Sequence, residues 1–188
     1  TIRNLGEKSV IAFVAETVAG ATIGAVPPVP GYFKRVREVC DRYGVLLILD
    51  EVMCGMGRCG TLWAFEQEGV VPDMVAVAKG ITGGYLPLAA TVTTEAVFES
   101  FLGAYEEQKT FFHGHTYTGN ALACAVALAN LRVFAEERTL ERLGPKIATM
   151  AARLTSEVAP LAHVGDVRQQ GTMVGIELVA DRATHRPY

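Results

Sequence analysis

The sequence predicts an α/β fold, a mainly parallel sheet with crossover helices, followed by the start of a smaller α+β domain. Three observations carry that expectation. Short apolar runs such as "VLLILD" and "MVAVAK" have the pattern of strands covered on both faces. Between them lie segments with apolar residues at helical spacing and a glycine stop, and such alternation implies parallel strands with right-handed crossovers. Beyond residue 119 the order changes to helix, helix, strand, strand.

Taken in order, "VIAFVAE" (10–16) reads as a buried strand and "GAVPPVPG" (24–31) as a proline-rich loop. "YFKRVREVCDRYG" (32–44) reads as an amphipathic helix ended by glycine, and "VLLILD" (45–50) as the next strand. "LWAFEQEG" is a short helix, "MVAVAK" (74–79) a third buried strand, "LAATVTT" (88–94) a fourth, and "EAVFESFLGAY" a helix after it. "GNALACAVALANLRVFAEE" predicts a long helix, and a charged helix runs on to about residue 158. "HVGDVRQQ" and "MVGIELV" then read as strands. The expected division is 1–135 for part of a large domain and 136–188 for the beginning of a small one.

The bulk properties narrow the function classes. The chain has 188 residues, and half of them are apolar, enough for a well-buried core. A formal net charge of −3 offers no nucleic-acid footprint and no affinity for an anionic membrane. The apolar runs are too short and too interrupted for a membrane span, and the N-terminal segment lacks the pattern of a secretory signal. Four scattered cysteines read as free thiols in a reducing, cytoplasmic setting.

"LLILDEVMCGMGRCG" (46–60) contains the spacing G-x-G-x-x-G, the fingerprint of a dinucleotide turn. That turn needs its glycines directly after the strand, with no carboxylate beside the pyrophosphate. Here "DEVMC" intervenes, and the next strand ends in Lys79 rather than an acid. The better reading is a tight loop whose glycines permit positive φ or close packing. His113 and His115 in "HGH", and Cys54 with Cys59, lack partners at metal-ligand spacing, so no metal site is expected.

Asp50 and Lys79 stand at the carboxyl ends of two successive strands, where open α/β sheets place their ligands. Either alone could be a turn cap or a solvated lysine. Together they suit pyridoxal phosphate. A carboxylate in contact with the ring nitrogen attracts its proton by about 4 kcal/mol at an effective dielectric of 20, and a desolvated lysine amine forms a Schiff base with the aldehyde. Val52 could present its branched side chain to the ring face.

"LLILDEVMCGMGRCGTLWAFEQEGVVPDMVAVAKG" resembles the core of the class III pyridoxal-phosphate aminotransferases, of the aspartate aminotransferase fold type I. The match runs through Asp50, Glu51, Val52, Gly55, Gly57, Arg58, Pro72, Asp73, Lys79 and Gly80. The resemblance implies that Lys79 holds the cofactor and then moves the proton, and that Asp50 pairs with the ring nitrogen. It further implies that Thr116, with His115 beside it, binds the cofactor phosphate of a neighbouring subunit, which requires a homodimer. Gly114 and Glu16 match substrate-contacting positions, and Arg168 is expected to brace the small domain.

Residues 79–180 are similar to members that aminate 8-amino-7-oxononanoate to 7,8-diaminononanoate in biotin biosynthesis, with S-adenosylmethionine or lysine as amine donor. The first 78 residues look closer to ω-amino-acid aminotransferases that use pyruvate. Glu16-Thr17 stands where the family shows Glu-Pro, and Cys59 where it shows threonine. Family chains are roughly twice this length, a large domain plus a small one. Their Gly-Ser phosphate turn, ring-stacking aromatic residue and substrate arginine find no match here. Residues 1–188 by themselves are therefore expected to be inactive.

Overall fold

The computed structural model describes all 188 residues, Thr1 to Tyr188. A single helical turn, α1 (Ile2–Leu5), precedes β1 (Ala12–Glu16), α2 (Tyr32–Tyr43) and β2 (Leu46–Asp50). β3 (Met74–Val77) and β4 (Ala90–Thr93) complete a sheet of order β1-β2-β3-β4. The first three strands are parallel and β4 is antiparallel to β3. The mainly parallel α/β sheet expected from the sequence is present.

α2 forms because its apolar residues share one stripe, and Gly44 in the left-handed conformation (φ 63°) ends it by donating to the Cys40 and Asp41 carbonyls. The stripe buries Phe33 and Cys40 against Leu47 and Leu49, both completely shielded from solvent. Each such leucine contributes about 1.5–3 kcal/mol. Asp73 anchors the edge of this core. Its Oδ2 accepts from Leu47 N and Arg37 Nη1, both at 2.7 Å.

Four expectations about elements change. β2 was expected to be covered on both faces, yet only Leu47 and Leu49 are buried, while Leu46, Ile48 and Asp50 are half-buried. Val14, beside Ile48 on that second face, is 63 % exposed. An unbroken apolar run shows that both faces suit burial, not which segment covers each. The third strand stops at Val77, so Lys79 lies outside it. β4 is exposed at all four residues, because it is the edge of its sheet. The helix expected after β4 is confined to α3 (Glu95–Glu99); the chain then passes through short turns and extended segments to residue 120.

α4 (Ala121–Glu136) starts at Asn120, whose Oδ1 accepts from Ala123 N at 3.0 Å. α5 (Thr139–Arg153) contains Pro145 and passes into a π turn over Leu154–Val158, so the charged helical stretch ends at the expected residue. β5 (Val164–Gln170) and β6 (Met173–Leu178) form a separate antiparallel sheet. We propose the boundary between the large and small units at residues 135/136, where α4 ends.

The β5–β6 hairpin docks onto the first half of the chain. Thr172 N donates to Arg58 O at 2.6 Å, Gln170 Nε2 to Gln67 Oε1 at 2.6 Å, and Arg168 Nε to Gly24 O at 3.0 Å. Arg168 also pairs with Asp166 and Glu177. This is the bracing contact expected of that arginine.

Candidate active site

The site is built on the carboxyl ends of β1, β2 and β3. In register, Glu16 lies beside Asp50 and Asp50 beside Ala76. Because side chains alternate along a strand, these three share the sheet face opposite Leu47 and Leu49. Asp50 Oδ1 accepts from Val52 N at 2.8 Å, closing the turn after β2 and fixing the carboxyl group. Glu16 is similarly tied, its Oε2 accepting from Gly20 N at 2.7 Å.

Lys79 reaches the site by a route that the sequence did not foretell. Alternation continued from Ala76 would put position 78 on the face of Asp50 and position 79 on the other. Instead the strand stops, Ala78 stays extended (φ −154°, ψ −159°), and Lys79 turns into the left-handed region at φ 48° to begin a 3₁₀ turn, Lys79–Thr82. A non-glycine residue there is strained, and surrounding structure must hold it. The outcome is that Ala78 and Lys79 line one cavity of about 760 Å³. Lys79 is three residues beyond the Asp50 partner on the next strand, so the two Cα atoms lie within about 12 Å.

His115, Tyr117, Thr118 and Gly119 close the other side of that cavity. His115 N donates to Thr118 Oγ1 at 2.8 Å, and Thr118 N to His115 O at 3.0 Å. The structure thus brings Lys79 and His115 to one cavity. Asp50, Val52 and Glu16 lie at the neighbouring strand ends and do not line it. Gly114 and Thr116 are exposed in the same loop as His115 and do not line it either. The rings of Phe111, His113 and His115 follow one another with centroids 5.4 and 5.3 Å apart, the first pair tilted by 34° and the second edge-on at 83°.

The glycine loop does what a tight loop requires. Gly57 (φ 86°) and Gly60 (φ 99°) occupy backbone conformations that side chains disfavour. A Cβ on Gly57 would also stand 3.1 Å from Leu140 of α5. Beneath the loop Cys54 and Cys59 are buried, and desolvation together with the Glu51 carboxylate pushes both thiols up to about 12.

The supporting roles of three residues were not read from the sequence, although Glu51 belongs to the matched motif. Glu51 is fully buried, and its oxygens accept from Thr17 Oγ1, Ala64 N and Phe65 N at 2.6, 2.9 and 3.1 Å. Thr82, also buried, donates to Leu86 O at 2.6 Å and closes the lysine turn. Asn130 of α4 donates to Gly80 O and Ile81 O. A lone amide in the apolar run "ALACAVALANL" was the available signal for the last.

An amine-bearing turn just beyond β3 and a carboxylate at the end of β2 agree with the class that the family match gives. The chain belongs to the class-III aminotransferases, whose family model matches residues 1–187. It is 56 % identical over 187 residues to the adenosylmethionine-8-amino-7-oxononanoate aminotransferase of Nitratidesulfovibrio vulgaris, covering 100 % of this chain and 34 % of that one. It is likewise 56 % identical over 181 residues to the protein of the same name from Aquifex aeolicus, covering 96 % and 40 %. The crystal structure of the Methanocaldococcus jannaschii enzyme of that name matches with a TM-score of 0.93 at 42 % identity, covering all of this chain and 43 % of that one. An (S)-enantioselective omega-transaminase from Thermomicrobium roseum matches with a TM-score of 0.90 at 40 % identity, covering all of this chain and 41 % of that one. The chain therefore spans well under half the length of these relatives.

Proposed function

We propose that these residues form part of a pyridoxal-phosphate-dependent aminotransferase that aminates 8-amino-7-oxononanoate, giving 7,8-diaminononanoate for biotin. The observation that carries the reading is Asp50 at the end of β2 and Lys79 on the turn just beyond the neighbouring β3, with Lys79 on a cavity of about 760 Å³. A cavity of that size falls within the ordinary range for small ligands, about 300–1,000 Å³. The residues present fit the cofactor: an amine and a hydroxyl on the cavity wall and a fixed carboxyl group on the adjoining strand.

When bound, the cofactor supplies an aldehyde that captures amino groups and a cationic ring that withdraws electrons. Lys79 would hold the cofactor through its Nζ amine, and the same amine, when free, would serve as the base that moves the proton. Asp50 holds the proton on the ring nitrogen, and the Val52 N–H keeps that carboxyl group aimed. Val52 would offer its branched side chain to one face of the ring. Thr116 and His115 serve the phosphate of a partner subunit, which suits an exposed threonine that does not line its own chain's cavity. Gly114 and Glu16 contact substrate, with S-adenosylmethionine or lysine as amine donor. The enzyme acts as a homodimer in the cytoplasm; no helix is long and apolar enough to cross a membrane. Residues 1–188 alone are expected to bind the cofactor weakly and to turn nothing over.

Lys79→Ala in the full chain tests this. It should abolish both the visible absorbance of lysine-bound cofactor and transamination; retention of both would end the proposal. A second reading, an ω-amino-acid:pyruvate aminotransferase, is supported by the similarity to the Thermomicrobium roseum omega-transaminase. Initial rates with 8-amino-7-oxononanoate and with pyruvate as acceptors separate the two.

A further inference from the structure

We infer that Asn130, on a different element from any catalytic residue, is a positioning residue that sets the direction of the Lys79 amine. The inference rests on the reading of Lys79 as the cofactor-binding lysine and adds the group that holds it in place. Asn130 lies in the middle of α4, 51 residues beyond Lys79 in the chain. Its neighbours from Ala121 to Leu131 are almost all Ala, Leu or Val, and a half-buried asparagine among them is disfavoured by helix propensity. Such a residue needs partners. The structure supplies two: Nδ2 donates to Gly80 O at 2.9 Å and to Ile81 O at 3.1 Å.

Both hydrogens of the amide are therefore used on the carbonyls of the two residues that directly follow Lys79. These carbonyls belong to a 3₁₀ turn only four residues long; Gly83 N donates to Gly80 O at 3.0 Å, and Ile81 O depends on Asn130. Asn130 Oδ1 also packs near Gly83, 3.2 Å from the position that a Cβ on that residue would take. On the opposite side, Gly80 leaves room for Met56 of the glycine loop: a Cβ on Gly80 would stand 2.7 Å from Met56 Cβ. The lysine turn is thus gripped between a side chain from α4 and a side chain from the loop after β2.

That grip explains how Lys79 keeps a φ of 48°. A left-handed lysine reverts to extended or right-handed backbone unless its surroundings forbid it. Extended backbone at residue 79 would restore strand alternation and send the amine toward the face away from Asp50. The two hydrogen bonds from Asn130 fix the peptides just beyond Lys79, so they remove that alternative. Asn130 touches neither substrate nor cofactor in this account. It acts through the backbone of the turn.

The isosteric pair Asn130→Val and Asn130→Thr tests the inference in the full chain, because only threonine keeps a donor. Wild-type protein is first loaded with pyridoxal phosphate, reduced with borohydride, and digested to find the labelled lysine. If Lys79 is not labelled, both the functional reading and this inference fail. With Lys79 labelled, two net hydrogen bonds predict about a tenfold fall in kcat for Asn130→Val, with KM changing less than about twofold. Asn130→Thr should recover part of the loss.

Two readouts do not depend on turnover. The apo Asn130→Val protein should show faster hydrogen exchange across residues 79–85. The midpoint pH of the lysine-bound cofactor's absorbance change should move by about half a unit or more, as expected if the amine's surroundings change. If Asn130→Val does not fold, Asn130→Thr alone carries the test, with about a threefold fall in kcat for one lost bond. Variants with wild-type kcat, exchange and midpoint pH would overturn the inference while leaving the functional reading intact.

Discussion

Thr17 and Glu51 meet inside the protein, the threonine Oγ1 donating to the glutamate Oε1 at 2.6 Å, with neither residue more than 2 % exposed. The pair ties the end of β1 to the residue that follows Asp50. The backbone repeats the tie, since Thr17 N donates to Asp50 O at 3.4 Å. A proline at position 17 could form neither bond. The threonine that departs from the family pattern therefore has a structural role here: it satisfies a buried carboxylate whose neighbour faces the site.

Glu51→Ala is expected to lower unfolding free energy by about 3 kcal/mol, because Ala64 N, Phe65 N and Thr17 Oγ1 lose their acceptor at once. Thr17→Val should cost about 1–2 kcal/mol, as one bond to a charged group disappears. Urea titration of the full chain measures both. A Glu51→Ala protein as stable as wild type would contradict the account.

Asp73 links two elements, accepting from Leu47 N of β2 and Arg37 Nη1 of α2. Asp73→Ala leaves a backbone donor and a half-buried guanidinium without their acceptor. A loss of about 2–3 kcal/mol follows, and a change below about 0.5 kcal/mol in the same titration would rule the tie out as a stabilising contact.

Gly175 permits β6 to pass directly over the turn at Gly24: a Cβ there would overlap the Gly24 carbonyl. Gly175→Ala must push the hairpin away and strain the Arg168 bonds to Gly24 O and Ile23 O. Overpacking of this kind costs about 1–3 kcal/mol. Thermal melting reports the loss, and faster hydrogen exchange in residues 20–25 should accompany it.

The thiols of Cys54 and Cys59 are pushed from 9.0 to about 12, by burial first and then by the charge of Glu51. Burial raises Cys40 as well. A group whose folded value lies above its unfolded one stabilises the fold fully below the unfolded value. Between about pH 9 and 12 the unfolded chain releases these protons while the folded chain retains them, so stability declines as pH rises. Denaturation midpoints at pH 8, 9 and 10 should fall in that order across the upper interval. Thiol reagents at pH 8 should leave all three cysteines unlabelled until the protein unfolds.

The chain's local patterns determined a good deal. Apolar runs at 45–50 and 74–79 marked β2 and β3, the second two residues longer than the strand itself, and helical spacing up to Gly44 marked α2. The residue types at positions 50 and 79 point to pyridoxal-phosphate chemistry, because a paired acid and amine near strand ends suit few ligands; that reading stands as a proposal. The spacing of the glycines was legible too, as freedom of backbone rather than as a phosphate turn.

Only the tertiary structure decided how Lys79 leaves its strand, which carbonyls Asn130 binds, and that Thr17 serves Glu51. Periodicity describes each residue's relation to its neighbours within a turn or two of chain. These contacts join residues 34 and 50 positions apart, and no local pattern specifies which distant partner satisfies a buried amide or carboxylate. The same limit hid the exposed second face of the sheet at Val14: apolar character records that a surface is fit to be buried, and only packing decides what lies against it.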